Sequence, residues 1–275
     1  MSILIPTLHL FPELDKKLIE LLRSLNTEEW NKPTLARKWI VKDIAAHLLD
    51  GNLRVISQMR DQYFGDPPGA IHSYQDLVDY LNRLNADFVQ AAKRLSPTLL
   101  TDLLEITGPL YKEQLSKLDP FKPAMFAVSW AGQTESPNWF HIAREYTEKW
   151  HHQQQIRDAV GKPGIMTKEF FTPLIETFMQ ALPHAYRNMH APDGTCVRVE
   201  VTSEVGNAWQ IVCNGNTWSF EKGHATPRTT IAIDPDTAWK LFTKGLPAEN
   251  ARKKIQVEGD AELSQPIFTM LAVMA

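Results

Sequence analysis

The sequence predicts two domains, an N-terminal all-α helical bundle in residues 1–163 and a separate C-terminal α+β domain in residues 164–275. Two observations lead to this prediction. Apolar residues recur at helical spacing through the first part, whereas short runs with the alternation of strands occur only in the second. Between the two parts, Lys162-Pro163-Gly164 stops the last helix of the first domain and marks the boundary.

Each helix of the first domain is predicted from an apolar stripe and a start or stop signal. Ser73 with Asp76 forms a capping-box pattern ahead of one such stripe. Ser136-Pro137 starts the longest helix, because serine caps a helix and proline suits its first turn. The predicted helices, in order, are one after Pro12, one from about Val41 to Tyr63, one from Ser73 to Leu95, one from Leu99 to Leu118 and one from Ser136 to Val160.

The second domain is predicted to open with a helix and to continue as strands. Asn214-Gly215 between two alternating runs is a hairpin signal. The predicted elements, in order, are a helix over Thr167–Tyr186, strands over Val197–Val201, Trp209–Cys213, Thr217–Phe220 and Thr229–Ile233, a helix from Asp234 to Leu246, a strand over Ile255–Val257, and a final apolar helix from Asp260 to Met274. Strands mixed with flanking helices indicate an α+β domain.

Composition and charge exclude several classes of protein. Of 275 residues, 43% are hydrophobic and 22% are charged, as in globular proteins, and the net charge of −3 offers no attraction for nucleic acid. No apolar stretch approaches the roughly 18 residues of a membrane helix, and the N-terminus lacks the basic start of a signal peptide. Cys196 and Cys213 lie in strand-like segments, as buried thiols or as a disulfide between neighbouring strands. We expect a cytoplasmic protein.

One face of the predicted helix over residues 136–160 carries side chains that bind metal ions. His141, Glu145, Glu148 and His152 are spaced four, three and four residues apart, which places them within roughly 60° of one another around the helix. An imidazole and a carboxylate at positions i and i+4 reach a single ion. The sequence therefore predicts a metal site on this face.

A third ligand has to come from another helix, and His47 is the candidate. Asp43, His47 and Asp50 form a polar stripe on an otherwise apolar helix, so either aspartate is expected to hold the second nitrogen of the imidazole. Spacing alone leaves open a solvated polar face or a histidine satisfied within the core. His151 competes with His152 for the ligand role but lies about 100° further round the helix.

Two motifs resemble the mycothiol-dependent maleylpyruvate isomerase family of the DinB-like bundle superfamily. The run from Arg144 to Gly161 is similar to the family's metal-ligand helix, in which Glu-x-x-x-His precedes an alanine-containing turn and a glycine. The stretch from Trp39 to Leu48 is similar to its tryptophan–valine stretch followed by Asp-x-x-x-His-Leu. The tail from Val257 onward looks like the end of a sterol-carrier-like domain. The resemblance implies a DinB-like four-helix bundle joined to a sterol-carrier-like α+β domain.

The chemistry that this resemblance implies is thiol-dependent isomerisation at a divalent metal. The ligands are His47, Glu148 and His152, completed by water, with zinc as the expected metal and nickel or manganese left open. A low-molecular-weight thiol adds to a cis double bond, rotation follows, and elimination gives the trans isomer, while the metal lowers the pKa of the thiol. An S-transferase is an open alternative. We expect a small-molecule substrate, a monomer or homodimer, and no nucleic-acid or membrane partner.

Three further residues are candidates for catalysis. The isomerases bind the substrate carboxylates with an arginine of the second domain, and Arg228 or Arg252 is the candidate here, because Gly245 is followed by Leu246 where relatives commonly have arginine. Glu145 is the general base in an alternative in which the ion activates water for hydrolysis. In a third, non-enzymatic alternative, the second domain binds an apolar ligand and any metal is structural.

Overall fold

The computed structural model describes residues 4–221 and 225–274. Residues 1–3 and 275, at the outer ends of the two predicted domains, lie outside this description, as do residues 222–224. Within it, the N-terminal part is helical and the C-terminal part combines a sheet with helices. The prediction of a helical region followed by an α+β region is therefore confirmed.

The described residues divide into two compact units. The helical unit comprises Pro6–Lys122 and Glu148–Ile165, with Met274. The mixed unit comprises Pro123–Thr147 and Met166–Val273, with residues 4–5. Residues 123–147 thus group with the sheet, whereas the sequence places them in the first domain, and the boundary at residue 163 stays a prediction.

The helices of the helical unit share one apolar core. Their bounds are α1 Phe11–Arg23, α2 Thr27–Trp30, α3 Val41–Val55, α4 Tyr74–Ala92, α5 Pro97–Ser116 and α6 Asn138–Val160, of which α6 contributes its part from Glu148 onward. The predicted second helix leaves α geometry before Tyr63, because α3 continues as a π-helical turn over Ile56–Arg60. The core includes Leu18, Val41, Ile44, Leu49, Leu100 and Ile156. No described helix is long and apolar enough to span a bilayer.

Capping residues set where α4 and α5 begin. The Ser73 hydroxyl accepts a hydrogen bond from the Asp76 backbone N–H at 3.1 Å, and the Asp76 carboxylate accepts one from the Ser73 N–H at 2.9 Å. The predicted capping box is therefore confirmed. α5 begins two residues earlier than predicted, because Ser96 caps it and Pro97 occupies its first turn.

The mixed unit is built on one sheet. The element bounds are α7 Lys168–Met179, α8 Leu182–Ala185, β1 Cys196–Val201, β2 Ala208–Asn214, β3 Thr217–Phe220, β4 Thr229–Ile233, α9 Pro235–Phe242, α10 Ala248–Ala251 and β5 Gln256–Gly259. Among the described residues the strand order is β3-β2-β1-β4-β5. β1 runs parallel to β4, and the other neighbouring strands are antiparallel. Val197, Val199 and Val201 alternate along β1 and are all buried, so one face of the sheet packs on the core.

The register of β1 and β2 decides the state of the two cysteines. Cys196 lies opposite Val212, and the Cys213 N–H bonds to the Thr195 carbonyl. Because neighbouring residues of a strand point to opposite faces, the two thiols lie on opposite faces of the sheet. Both are buried free thiols, which rules out the disulfide alternative.

Prolines disrupt two predicted helices of the mixed unit. The helix predicted over Thr167–Tyr186 divides into α7 and α8, with Pro183, which has no N–H for the preceding turn, at the start of α8. The prediction of a final α-helix reaching Met274 is wrong. Glu262–Thr269 forms a 3-10 helix that contains Pro266, and the described residues after it are irregular.

Candidate metal centre

Three side chains of the helical unit converge from two helices. His47 projects from α3, and Glu148 and His152 lie one turn apart on α6. One ligand atom from each of the three lies within 4.8 Å of the other two. The structure thus brings together the three residues that the sequence singles out as metal ligands.

The imidazole of His152 is held in one orientation by hydrogen bonding. Its Nδ1 lies 2.9 Å from Oε1 of Gln155, an oxygen that only accepts, so Nδ1 carries the proton. In the neutral ring Nε2 is then the nitrogen with the lone pair, and this atom lies 3.5 Å from Oε2 of Glu148. Sequence reasoning missed Gln155, although its position three residues after His152 on the same helix was a usable signal.

The imidazole of His47 has a nitrogen without a partner. Its Nδ1 is buried and makes no hydrogen bond. The expectation that Asp43 or Asp50 holds this ring is wrong. Asp43 accepts the Ile40 N–H at 3.1 Å to cap α3, because the first N–H groups of a helix need acceptors, and Asp50 lies beside Arg54.

Burial and neighbouring charges set the protonation of this group. Burial lowers the pKa of His47 well below its ordinary value, and the neighbouring His152 lowers it further, so the ring is neutral at pH 7. Burial alone would raise the pKa of Glu148, but His151, His152 and His47 outweigh it and bring that pKa to about 2. A neutral imidazole and an ionised carboxylate are the forms that bind metal.

Aromatic rings enclose the two imidazoles. The centroids of His47 and His152 lie 4.6 Å apart, and the Trp39 ring lies 4.9 Å from the first and 6.3 Å from the second. The ring of His151, expected to lie off the shared face, has its centroid 3.9 Å from that of His152 with the two planes tilted by 38°, and its Nδ1 is 4.0 Å from Oε2 of Glu148. The surroundings of the two imidazoles are therefore partly apolar.

The residues present fit a divalent ion. Two imidazoles and one carboxylate form a donor set that zinc uses in open sites with a further position for water or substrate. The buried Nδ1 of His47 has no hydrogen-bond partner, which is rare for a buried polar atom, so the protein itself leaves this imidazole uncommitted. Gln155 supplies the outer hydrogen bond that metal-bound histidines require.

The three predicted catalytic residues lie in the mixed unit, each with a partner of its own. The Glu145 carboxylate accepts a hydrogen bond from Arg144 at 2.6 Å. Arg228 is exposed and pairs with Asp260 at 3.4 Å. The Arg252 guanidinium donates to Gln265 at 2.7 Å and lies 4.0 Å from the ring of Phe268. Their catalytic roles stay predictions.

Comparison with known proteins places the chain in a family and a fold. The family model described as "Mycothiol maleylpyruvate isomerase N-terminal domain" matches residues 11–157. Two crystal structures of mycothiol-dependent maleylpyruvate isomerase, one of them of a point mutant, superpose with TM-scores of 0.56 and 0.55 at 10% and 11% identity. Each alignment covers 94% of this chain and 95% of the other. At this identity the likeness concerns the fold alone. No curated protein matches the chain.

Proposed function

The chain belongs to the mycothiol maleylpyruvate isomerase N-terminal domain family, and on this premise we propose that it is a divalent-metal-dependent enzyme that acts with a low-molecular-weight thiol on a small-molecule substrate. The observation that carries the proposal is the convergence of His47, Glu148 and His152, with one ligand atom from each within 4.8 Å of the others. A maleylpyruvate isomerase-like reaction is the form of the proposal that we favour, and an S-transferase is its variant.

A bound metal would activate the thiol, whereas the side chains of the site orient the metal ligands and set their charge. A divalent ion, zinc in our proposal and nickel or manganese as alternatives, lowers the pKa of a thiol so that a thiolate persists near neutral pH. Gln155 holds Nδ1 of His152 and so leaves Nε2 as the nitrogen that faces Glu148. Glu148 stays ionised, and Trp39 packs beside both imidazoles.

In the isomerase form the thiol is a catalyst. The thiolate sulfur bonds to one carbon of a cis double bond conjugated to a carbonyl, and the displaced electron pair moves to the carbonyl oxygen. The former double bond is now single and rotates. Return of the electron pair breaks the carbon–sulfur bond and leaves the trans isomer and the thiolate. In the transferase form the thiolate displaces a leaving group, so the thiol is consumed.

The proposal extends to the architecture and setting of the protein. We assign the helical N-terminal region to a DinB-like four-helix bundle over residues 1–163 and the rest to a sterol-carrier-like domain over residues 164–275. Support comes from the family match over residues 11–157 and from the fold likeness across 94% of the chain. We further propose that the protein is cytoplasmic, that it is a monomer or a homodimer, and that its substrate is a small molecule.

The hydrolase and non-enzymatic alternatives have less support. A general base needs a free carboxylate, and that of Glu145 is engaged by Arg144 at 2.6 Å. A structural metal is expected to have four protein ligands, whereas the group of His47, Glu148 and His152 offers three. The number of ligands thus counts against a structural metal, and the engagement of Glu145 counts against the hydrolase.

Metal content and thiol dependence test the proposal together. Wild type and His152→Ala are purified without chelators, and their metal is measured by plasma mass spectrometry. We expect about one zinc, nickel or manganese per wild-type chain and a loss of most of it in the variant. Cis-dienoic acids and electrophiles are then screened with and without an added thiol such as glutathione, cysteine or mycothiol. Absence of metal from wild type, even after dialysis against zinc, contradicts the proposal.

A further inference from the structure

A second polar cluster lies within the helical unit, on α3 and α4. Arg54 projects from α3, and its Nη2 donates a hydrogen bond to Oδ1 of Asn85 on α4 at 3.1 Å. The same Nη2 lies 3.1 Å from Oδ2 of Asp50, one turn earlier on α3. Asp50 and Asn85 are 6% and 7% exposed, while the Arg54 side chain is 30% exposed. Asp50 and Asn85 are thus buried, and they contact a guanidinium group whose side chain is partly exposed to solvent.

Not every N–H donor of Arg54 has a hydrogen-bond acceptor. Its Nε is buried and has no hydrogen-bond partner. The ion pair with Asp50 lacks hydrogen-bond geometry, since Oδ2 of Asp50 also has no partner. Buried polar atoms in proteins are almost always satisfied, and a guanidinium carries five N–H donors in a planar fork suited to a carboxylate. The guanidinium therefore retains N–H donors beyond the one that Asn85 accepts.

The cluster lies on the same side of α3 as the candidate metal ligand His47. Seven residues separate His47 from Arg54, which corresponds to two turns and about 10 Å along the axis. α3 turns into a π-helix at Ile56, and such turns frequently mark functional sites.

We propose that Arg54, held by Asp50 and Asn85, binds a carboxylate group of a small-molecule ligand whose other end reaches the His47–Glu148–His152 centre. The inference rests on the proposed function and deepens it. It predicts that the substrate or the thiol carries an anionic group about two turns of α3 away from its end at the metal ligands. Arg54 is then a substrate-binding residue supplied by the helical unit itself, and Asp50 is a positioning residue.

The test is the binding of maleate, a small dicarboxylate, to the full chain. Isothermal titration calorimetry is run on zinc-loaded and on chelator-treated protein, for wild type, Arg54→Met and Arg54→Lys. Arg23→Met is the matched control, because Arg23 is a half-exposed arginine of the same unit that pairs with Asp102 and Glu105. Circular dichroism and metal content establish that each variant is folded and loaded.

We expect Arg54→Met to weaken maleate binding about 10- to 100-fold, as for loss of a charge-assisted hydrogen bond, with metal content unchanged. Arg54→Lys keeps the charge but loses the fork, so an intermediate loss is expected, and it replaces Arg54→Met if that variant does not fold. Arg23→Met should bind as wild type does.

Three results overturn the inference: no maleate binding by wild type, affinities of the Arg54 variants within twofold of wild type, or an equal loss in Arg23→Met. Failure of the proposed function has a different signature, namely no metal uptake by wild type. In that case maleate binding by the metal-free chain still tests the inference. Weaker binding by the Arg54 variants than by wild type supports it, and equal binding contradicts it.

Discussion

Nε2 of His152 lies 3.5 Å from Oε2 of Glu148, one helical turn earlier on α6. Oε1 of Gln155 lies 2.9 Å from Nδ1 of the same imidazole and orients the ring so that Nε2 faces Glu148. With His47 opposite, these atoms form a preorganised set of donors, and consequences for metal affinity and stability follow from their geometry.

Removal of the Gln155 side-chain amide should weaken metal binding without removing a ligand. In Gln155→Leu the Nδ1–H of His152 loses its acceptor, and the ring loses its fixed tautomer. Loss of such outer hydrogen bonds typically lowers metal affinity about 10- to 100-fold. Competition with a chromophoric zinc chelator measures the change. Gln75→Leu, at an exposed glutamine of α4 that donates to Asp79, is the control, and an equal loss there contradicts the role of Gln155.

Metal should stabilise the folded chain through Glu148. A ligand that binds the native state alone adds about 2.7 kcal/mol at a concentration one hundred times its dissociation constant. We expect zinc to raise the melting temperature of wild type, and excess chelator to reverse the shift. Glu148→Gln, which replaces the carboxylate with a neutral amide, should show a much smaller shift. Glu13→Gln, at an exposed glutamate of α1, should respond as wild type does.

Asp50 should make stability depend on pH. Burial raises its pKa from 3.8 to about 6, and the nearby Arg54 only partly offsets this. Because the folded-state pKa lies above the unfolded one, the favourable contribution is present below about pH 4 and is lost as the pH rises through about 6. Asp50→Asn should therefore be more stable than wild type by about 1–2 kcal/mol at pH 7.5 and equal to it near pH 4.

Urea denaturation in the presence of a chelator measures the Asp50 effect free of metal linkage. Asp76→Asn is an informative contrast, since hydrogen bonds from His72 and Ser73 lower the pKa of Asp76. That variant should be less stable than wild type at pH 7.5, so the two substitutions have opposite signs. A loss of stability in Asp50→Asn at pH 7.5 contradicts the expectation.

Arg157 should be a major stabilising residue of the helical unit. It is 7% exposed and donates to three carbonyls, those of Lys17 at 3.0 Å, Lys162 at 3.2 Å and Pro163 at 2.9 Å. Arg157→Met keeps the apolar stem but leaves these acceptors without a donor, so we expect a loss of about 3 kcal/mol in the free energy of unfolding. Arg187→Met, at an exposed arginine, should change it by less than about 0.5 kcal/mol. Urea denaturation checks both.

The sequence by itself determined which residues share a face of one element. The period of an α-helix places Glu148 beside His152, and a serine three residues before an aspartate is enough to start α4. Strand alternation likewise predicted the positions of β1 to β4. These features depend on neighbours within a few residues along the chain, and for this reason they can be inferred without coordinates.

Only the tertiary structure decided which groups meet across elements. It set Arg54 of α3 against Asn85 of α4, and it placed Arg157 of α6 at the Lys17 carbonyl of α1. It also placed Cys196 and Cys213 on opposite faces through the register of β1 and β2. A side chain has several potential partners, and packing of helices and strands selects one of them. That selection depends on distances that no spacing in the sequence encodes.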